Sequence, residues 1–146
     1  LEQEGAVKII ADTRTVKGTQ LVFGGPMPAA CLYAPIEWVQ KNPQTAQALA
    51  NAIVRALKWL DAATPQQILA TVPETYLLGN KALYLFSYNA IKDAISTDGL
   101  ISDAGAKTAL NAVAGFNPDV KPAQIDLAKT YTNEFARRAN ERFAKQ

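Results

Sequence analysis

The stretch from Gly24 to Asp61, GGPMPAACLYAPIEWVQKNPQTAQALANAIVRALKWLD, constrains the fold more than any other part of the chain. It opens with a glycine-proline loop, continues as an apolar run, and ends in a long amphipathic segment. Ala46, Leu49, Ala50, Ile53, Leu57 and Leu60 recur at three- and four-residue steps, which makes one continuous helical stripe. Asn42 is a good N-cap for that helix and Pro43 suits its first position. A stripe of this length must be buried against something. The run Met27 to Tyr33 reads as a strand, with Pro28 near its start and Pro35 closing it. A second buried strand is expected from Val7 to Asp12 within GAVKIIAD. The sequence between them, TRTVKGTQ, is loop-like, and Leu21-Val22-Phe23 leads into Gly24-Gly25-Pro26.

Downstream of Ala62 the chain reads as helices. Thr64 and Gln67 have capping-box spacing, with Pro65 in the first turn and Ile68 and Leu69 inward. Glu74 to Gly79 is a connector, and a long helix is expected from Asn80 to about Ser96 with Tyr84, Tyr88, Ile91 and Ile95 along one side. Asp98-Gly99 is a turn, Ser102 caps a helix with Leu110 and Val113 inward, and Gly115 takes the C′ role. Pro122 begins the last helical region, where Phe135 and Ala139 lie on a weaker stripe. Its end carries Arg137, Arg138, Arg142 and Lys145, which a helix C-terminus favours as a solvated basic face. Two strands cannot form an independent sheet. The missing sheet would have to come from further sequence or from another chain.

Composition narrows the chemistry. The apolar share is 49% and the charged share 19%, a globular composition with no run long enough to span a bilayer. A net charge of +2 is too small to point to nucleic acid as a partner. The sequence contains no histidine, which removes the commonest general base, the Ser-His and Cys-His couples and most zinc sites. No catalytic residue, metal or cofactor is expected, and the chain does not read as an enzyme. Cys31, the single cysteine, sits in AACLYA and reads as a small buried hydrophobe.

The ordered series VKIIADT, a loop, and ACLYAPIEWVQKNPQTAQALANAIVRALKWLD resembles the solute-binding proteins of ABC importers in the nitrate/sulfonate/taurine group, and the related thiamine-precursor binding proteins. The later segments VPETYLLGNKALYLFSYNAIKDAISTDGLISDAGAKTALNAV and FNPDVKPAQIDLAKTYTNEFARRA extend the resemblance over essentially the whole chain. It implies the C-terminal portion of a type II periplasmic-binding-protein fold, α/β in class, mostly helical here with about two short strands. Residues 1–23 would be the end of the second lobe and the hinge. Residues 24–146 would be the return strand and covering helices of the first lobe, incomplete without upstream sequence.

The resemblance further implies capture of a small organic or anionic solute between two lobes, for delivery to an ABC permease and its ATPase. The protein would be periplasmic or exported, with a signal peptide upstream of this chain. Ligand contacts are expected from Thr13 and Arg14 after the first strand, and from Phe23, Gly24 and Gly25 before the second. Arg14 would offer its planar fork to an anion and the glycines their backbone N–H groups. Two alternatives stand beside this reading. One is a helical interaction module, or a strand-exchanged homo-oligomer, without ligand binding. The other is a protein related to the pyrimidine-precursor synthases, whose active-site histidine has no counterpart in these residues.

Overall fold

The first helix begins where the sequence reads as loop. In the computed structural model, which describes residues 1, 2 and 4–144, α1 (Val16–Phe23) starts at Thr15. The Gly18 N–H donates to Thr15 Oγ1 at 3.0 Å, satisfying one of the free donors of the first turn. Gly24 closes α1 in the left-handed region (φ 77°), where a residue with a Cβ would be strained.

α2 (Ile36–Lys41) follows directly on Pro35, whose fixed φ serves to start a helix here and not to end a strand. Asn42 also differs from expectation. Its Nδ2 donates back to the Trp38 carbonyl at 2.9 Å, so it closes α2 and gives no side-chain cap to α3 (Pro43–Ala62). α4 (Pro65–Thr71) has the expected capping box: the Gln67 N–H donates to Thr64 Oγ1, and the Thr64 N–H to Gln67 Oε1. α5 (Glu74–Leu77) forms within the presumed connector. α6 (Lys81–Ile91) is capped by the Asn80 side chain and tightens into a 3₁₀ turn at Lys92–Ala94, short of Ser96. α7 (Asp103–Phe116) is capped by Ser102 as expected, but runs through Gly115 to a C-cap at Asn117. Two 3₁₀ turns, Pro122–Gln124 and Leu127–Lys129, precede α8 (Glu134–Arg142).

The α/β fold class expected from the sequence is overturned. Among the described residues there is no strand and no sheet, and the architecture is all-helical. The segments read as strands, Val7 to Asp12 and Met27 to Tyr33, are non-helical, and among the described residues no backbone hydrogen bond joins either to another segment. Their β-branched and apolar residues satisfied the strand pattern, but a strand requires a neighbour with free backbone groups. Every adjacent element here is a helix that uses its own. Cys31 is exposed on the second of these segments, not buried.

Burial is concentrated on one side of α3. α8 packs along it, and Ala46 and Val54 of α3 and Ala139 of α8 are buried; Val54 lies outside the stripe read from the sequence. The Gln47 amide crosses the seam to the Phe135 carbonyl at 2.9 Å. The turn at Asp98-Gly99 plugs the far end of the seam. Gly99 (φ 69°) lies against Val54 and Leu57, and Asn140 donates to the Asp98 carbonyl at 2.7 Å. Asn133 grips Ile101 from both directions, accepting its N–H at 3.0 Å and donating to its carbonyl at 2.8 Å. Asn133→Ala removes both bonds and leaves half-buried groups unpaired. It is expected to lower stability by about 1–3 kcal/mol, read from the urea midpoint. Ile68, Leu77 and Tyr88 are buried on α4, α5 and α6, and Ala106 and Thr108 on α7, with the Tyr88 hydroxyl donating to the Leu60 carbonyl at 3.3 Å.

Much apolar surface is left open. Leu49, Ile53, Leu83, Phe86, Ile91 and Val113 are all exposed, although the pattern reads them inward. The accessible surface is 10925 Å². A folded monomer of 15.7 kDa is expected to expose about 7,300 Å².

Candidate functional site

The residues nominated by the sequence fall at the two ends of α1. Thr13 and Arg14 precede it, while Phe23, Gly24 and Gly25 end it. Eight helical residues separate the ends by about 12 Å, so the two groups do not converge on one point. The N-terminal group is the chemically organised one. Asp12 turns back on Arg14, accepting its backbone N–H at 2.9 Å and its guanidinium at 2.9 and 2.7 Å. The outer edge of the same guanidinium donates to both oxygens of Glu2 at 2.8 and 3.1 Å. A planar fork suits two carboxylates at once, and these bonds are charge-assisted.

This clasp changes the electrostatics. The Arg14 side-chain hydrogen bond, reinforced by the Arg14 backbone N–H, holds the Asp12 carboxyl at about 2, below its ordinary 3.8. Glu2 is lowered by the same guanidinium, and Arg14 is pushed upward, first by Asp12 and then by Glu2. A carboxylate whose folded value is depressed stabilises the clasp above its ordinary value and loses that contribution as pH falls toward the folded one. The clasp is therefore expected to be intact above pH 4 and to open between about pH 4 and 2. The Asp12 carboxyl carbon shift, followed by NMR, should show a midpoint near 2. A midpoint at the ordinary value would mean that the clasp does not form in solution.

Beyond the clasp lies a groove of about 450 Å³ between the N-terminal arm and α6. Leu83, Tyr84, Phe86 and Ile91 line one wall, and Glu2 and Arg14 stand at the other. The lining is mostly apolar, with Ser87 and Tyr84 supplying hydroxyls. Its volume falls in the small-molecule range, but the groove is open on one side and would leave a bound molecule largely exposed. The sequence missed the α6 wall because Tyr84 and Phe86 lie on a pattern indistinguishable from core. It missed Asp12 and Glu2 as well, although an Asp two residues before an Arg is a legible signal for a local clasp.

The glycines have structural explanations. Gly24 ends α1 in its left-handed conformation, and its N–H is bonded to the Gln20 carbonyl at 3.0 Å. Gly25 is buried flat against Thr108 of α7, where an added Cβ would overlap the threonine hydroxyl. Three residues on, Pro28 lies over Gly105 of the same helix. The loop is thus a strap seated on small residues of α7. Thr13 is exposed and Phe23 half-buried.

The basic end of the chain is a solvated helix face, as its composition suggests. Arg138 pairs with Glu134 one turn back, and Arg142 lies over the Phe143 ring at 5.9 Å. Lys145 lies outside the described residues.

No family model matches the chain, and no curated protein matches it. Among solved structures, a protein from Bordetella bronchiseptica RB50 is similar over 99% of this chain, at 52% sequence identity and a TM-score of 0.94. That structure carries no functional name. The chain spans 46% of its length, so the similarity covers about half of a longer polypeptide.

Proposed function

We propose that this chain supplies one wall of the small-solute site in the binding component of a membrane importer. A further polypeptide body closes the site. One observation carries the reading: a largely apolar groove with a charged rim opens on one side, in a chain that matches only half of a longer similar protein. A ligand enclosed between two bodies is buried far more completely than an open groove allows. Closure of one body on the other would be the capture step, which needs no catalytic group. The solute is a small organic or anionic molecule of the nitrate, sulfonate or taurine class, handed on to a permease outside the cytoplasm.

Arg14 limits how an anion would be held. Its guanidinium already serves Asp12 and Glu2, so an anion must displace Glu2 or use donors from the other body. That observation favours a second reading, in which the chain is a helical interaction part with no ligand of its own. A thermal-shift screen of the Bordetella protein and of this chain, with nitrate, sulfonates, aromatic carboxylates and pyrimidines, separates the two. A ligand at a hundred times its dissociation constant adds about 2.7 kcal/mol of stability. Stabilisation of the longer protein by one class supports capture. No shift with any class, or chemical conversion of a ligand, overturns it.

A further inference from the structure

We infer that the Arg14 end of the groove is a carboxylate seat, filled by Glu2 as an exchangeable stand-in, and that its solute is a monocarboxylate with an apolar tail. This rests on the two-body capture proposed above and puts a carboxylate in place of the sulfonate or nitrate head group. Arg14 meets its two carboxylates in different ways. Asp12, two residues away, accepts one edge of the guanidinium at 2.9 and 2.7 Å and the Arg14 backbone N–H at 2.9 Å, which fixes the plane of the fork. Glu2 comes from twelve residues away and accepts the outer edge with both oxygens, at 2.8 and 3.1 Å. That pairing shows what the outer edge selects: two oxygens of one planar group, side by side. The Arg14 and Glu2 side chains are 35% and 41% exposed, and an ion pair so open to water contributes little to stability. A second carboxylate can therefore take the place of Glu2.

The rest of the groove sets the tail. Leu83, Phe86 and Ile91 form the α6 wall, and Tyr84 and Ser87 add hydroxyls. Between Lys81 and Lys92 the sequence carries no charged residue. One negative charge on the solute is met at Arg14. A second charge would face this wall without a partner, which disfavours dicarboxylates and zwitterions. The exposed Phe86 ring suits a flat apolar body laid beside it. The groove is open on one side, so the chain alone should bind such a solute weakly, and competition from Glu2 weakens it further. An apparent affinity falls with the fraction of chains in which the outer edge is free. Removing the Glu2 carboxylate should thus tighten binding, the reverse of what losing a ligand contact does.

NMR titration of the 146-residue chain with phenylacetate, read at the Arg14 side-chain N–H and at the amides of α6, tests the inference. Saturable shifts are expected at both places. Phenylacetamide keeps the tail and loses the charge, and should bind about fivefold more weakly or not at all. Glu2→Gln should tighten phenylacetate binding about threefold or more. Arg14→Lys keeps the charge, loses the fork and should weaken it. Far-UV circular dichroism checks that each variant keeps its helices. Should Arg14→Lys unfold, the acid–amide comparison and Glu2→Gln decide the question. Equal binding of acid and amide overturns the inference, as does a Glu2→Gln variant that binds no tighter, or shifts on α6 with none at Arg14. Tighter binding of phenylmethanesulfonate, which has the same tail, overturns the carboxylate seat and leaves capture standing. Phenylacetate binding as expected, with no ligand class stabilising the longer protein, keeps the seat and sinks capture.

Discussion

Val54→Asp is expected to destabilise the chain by about 4 kcal/mol or more, the upper end for a single substitution and typical of an unpaired buried charge. Val54 is 1% exposed at the junction of α3, α8 and the Asp98-Gly99 turn. Its methyl group lies about where a Cβ on Gly99 would touch it, at 3.4 Å. The hydrogen bond beside it, from Asn140 to the Asp98 carbonyl, is already made between its own partners. A carboxylate there would stay unpaired or take up a proton, and either outcome costs folding free energy. Small domains are stable by only about 5–15 kcal/mol, and this one buries few large side chains. Loss of most helical ellipticity at 25 °C is the expected result. A urea midpoint within experimental error of the parent would show that the α3–α8 seam is not the centre of the fold.

Most helices and several of their caps were legible in the sequence and their packing was not, for a physical reason. Helical periodicity reports which side of a helix is apolar, yet Leu49 and Ile53 on α3 and Val113 on α7, all read inward, are exposed. Capping chemistry is local too, and Thr64, Gln67 and Ser102 act as their types suggest. Periodicity does not report whether a neighbour is present. The stripe named Leu49 and Ile53, which are exposed, and passed over Val54, which is the buried residue on the side where α8 packs. The same limit explains the two strands: Val7, Ile9 and Ile10 fit a pleated surface that no element here provides. The start of α1 was missed because Gly18 weakens helix propensity. Its freedom from a Cβ is needed at that position, since the Asp12 carbonyl lies against it. At the candidate site, Arg14 was nominated by residue type alone. Its occupancy by Asp12 and Glu2 depends on a backbone turn that composition does not encode.

Ile68→Ala and Leu49→Ala, the same kind of truncation at two positions read as core, are expected to part sharply. Ile68 is 2% exposed on α4, and its removal should lower stability by about 3 kcal/mol, the transfer loss plus the cavity left behind. Leu49 is 42% exposed on the edge of α3 that α8 does not reach. Its truncation at low chain concentration should cost under about 1 kcal/mol, because few contacts are lost and no cavity forms. Urea midpoints for both variants, measured in parallel, give the comparison. Equal losses at low concentration would mean that the open edge of the α3 stripe is covered within one chain, against the packing described above. A Leu49 loss that grows with concentration would mean that copies of the chain meet on α3. A stripe patterned as evenly as residues 46–60 is otherwise hard to reconcile with burial along one edge. The sequence carries enough apolar surface for a second neighbour, and stability measured with that edge bare shows how much of the fold the first neighbour supports alone.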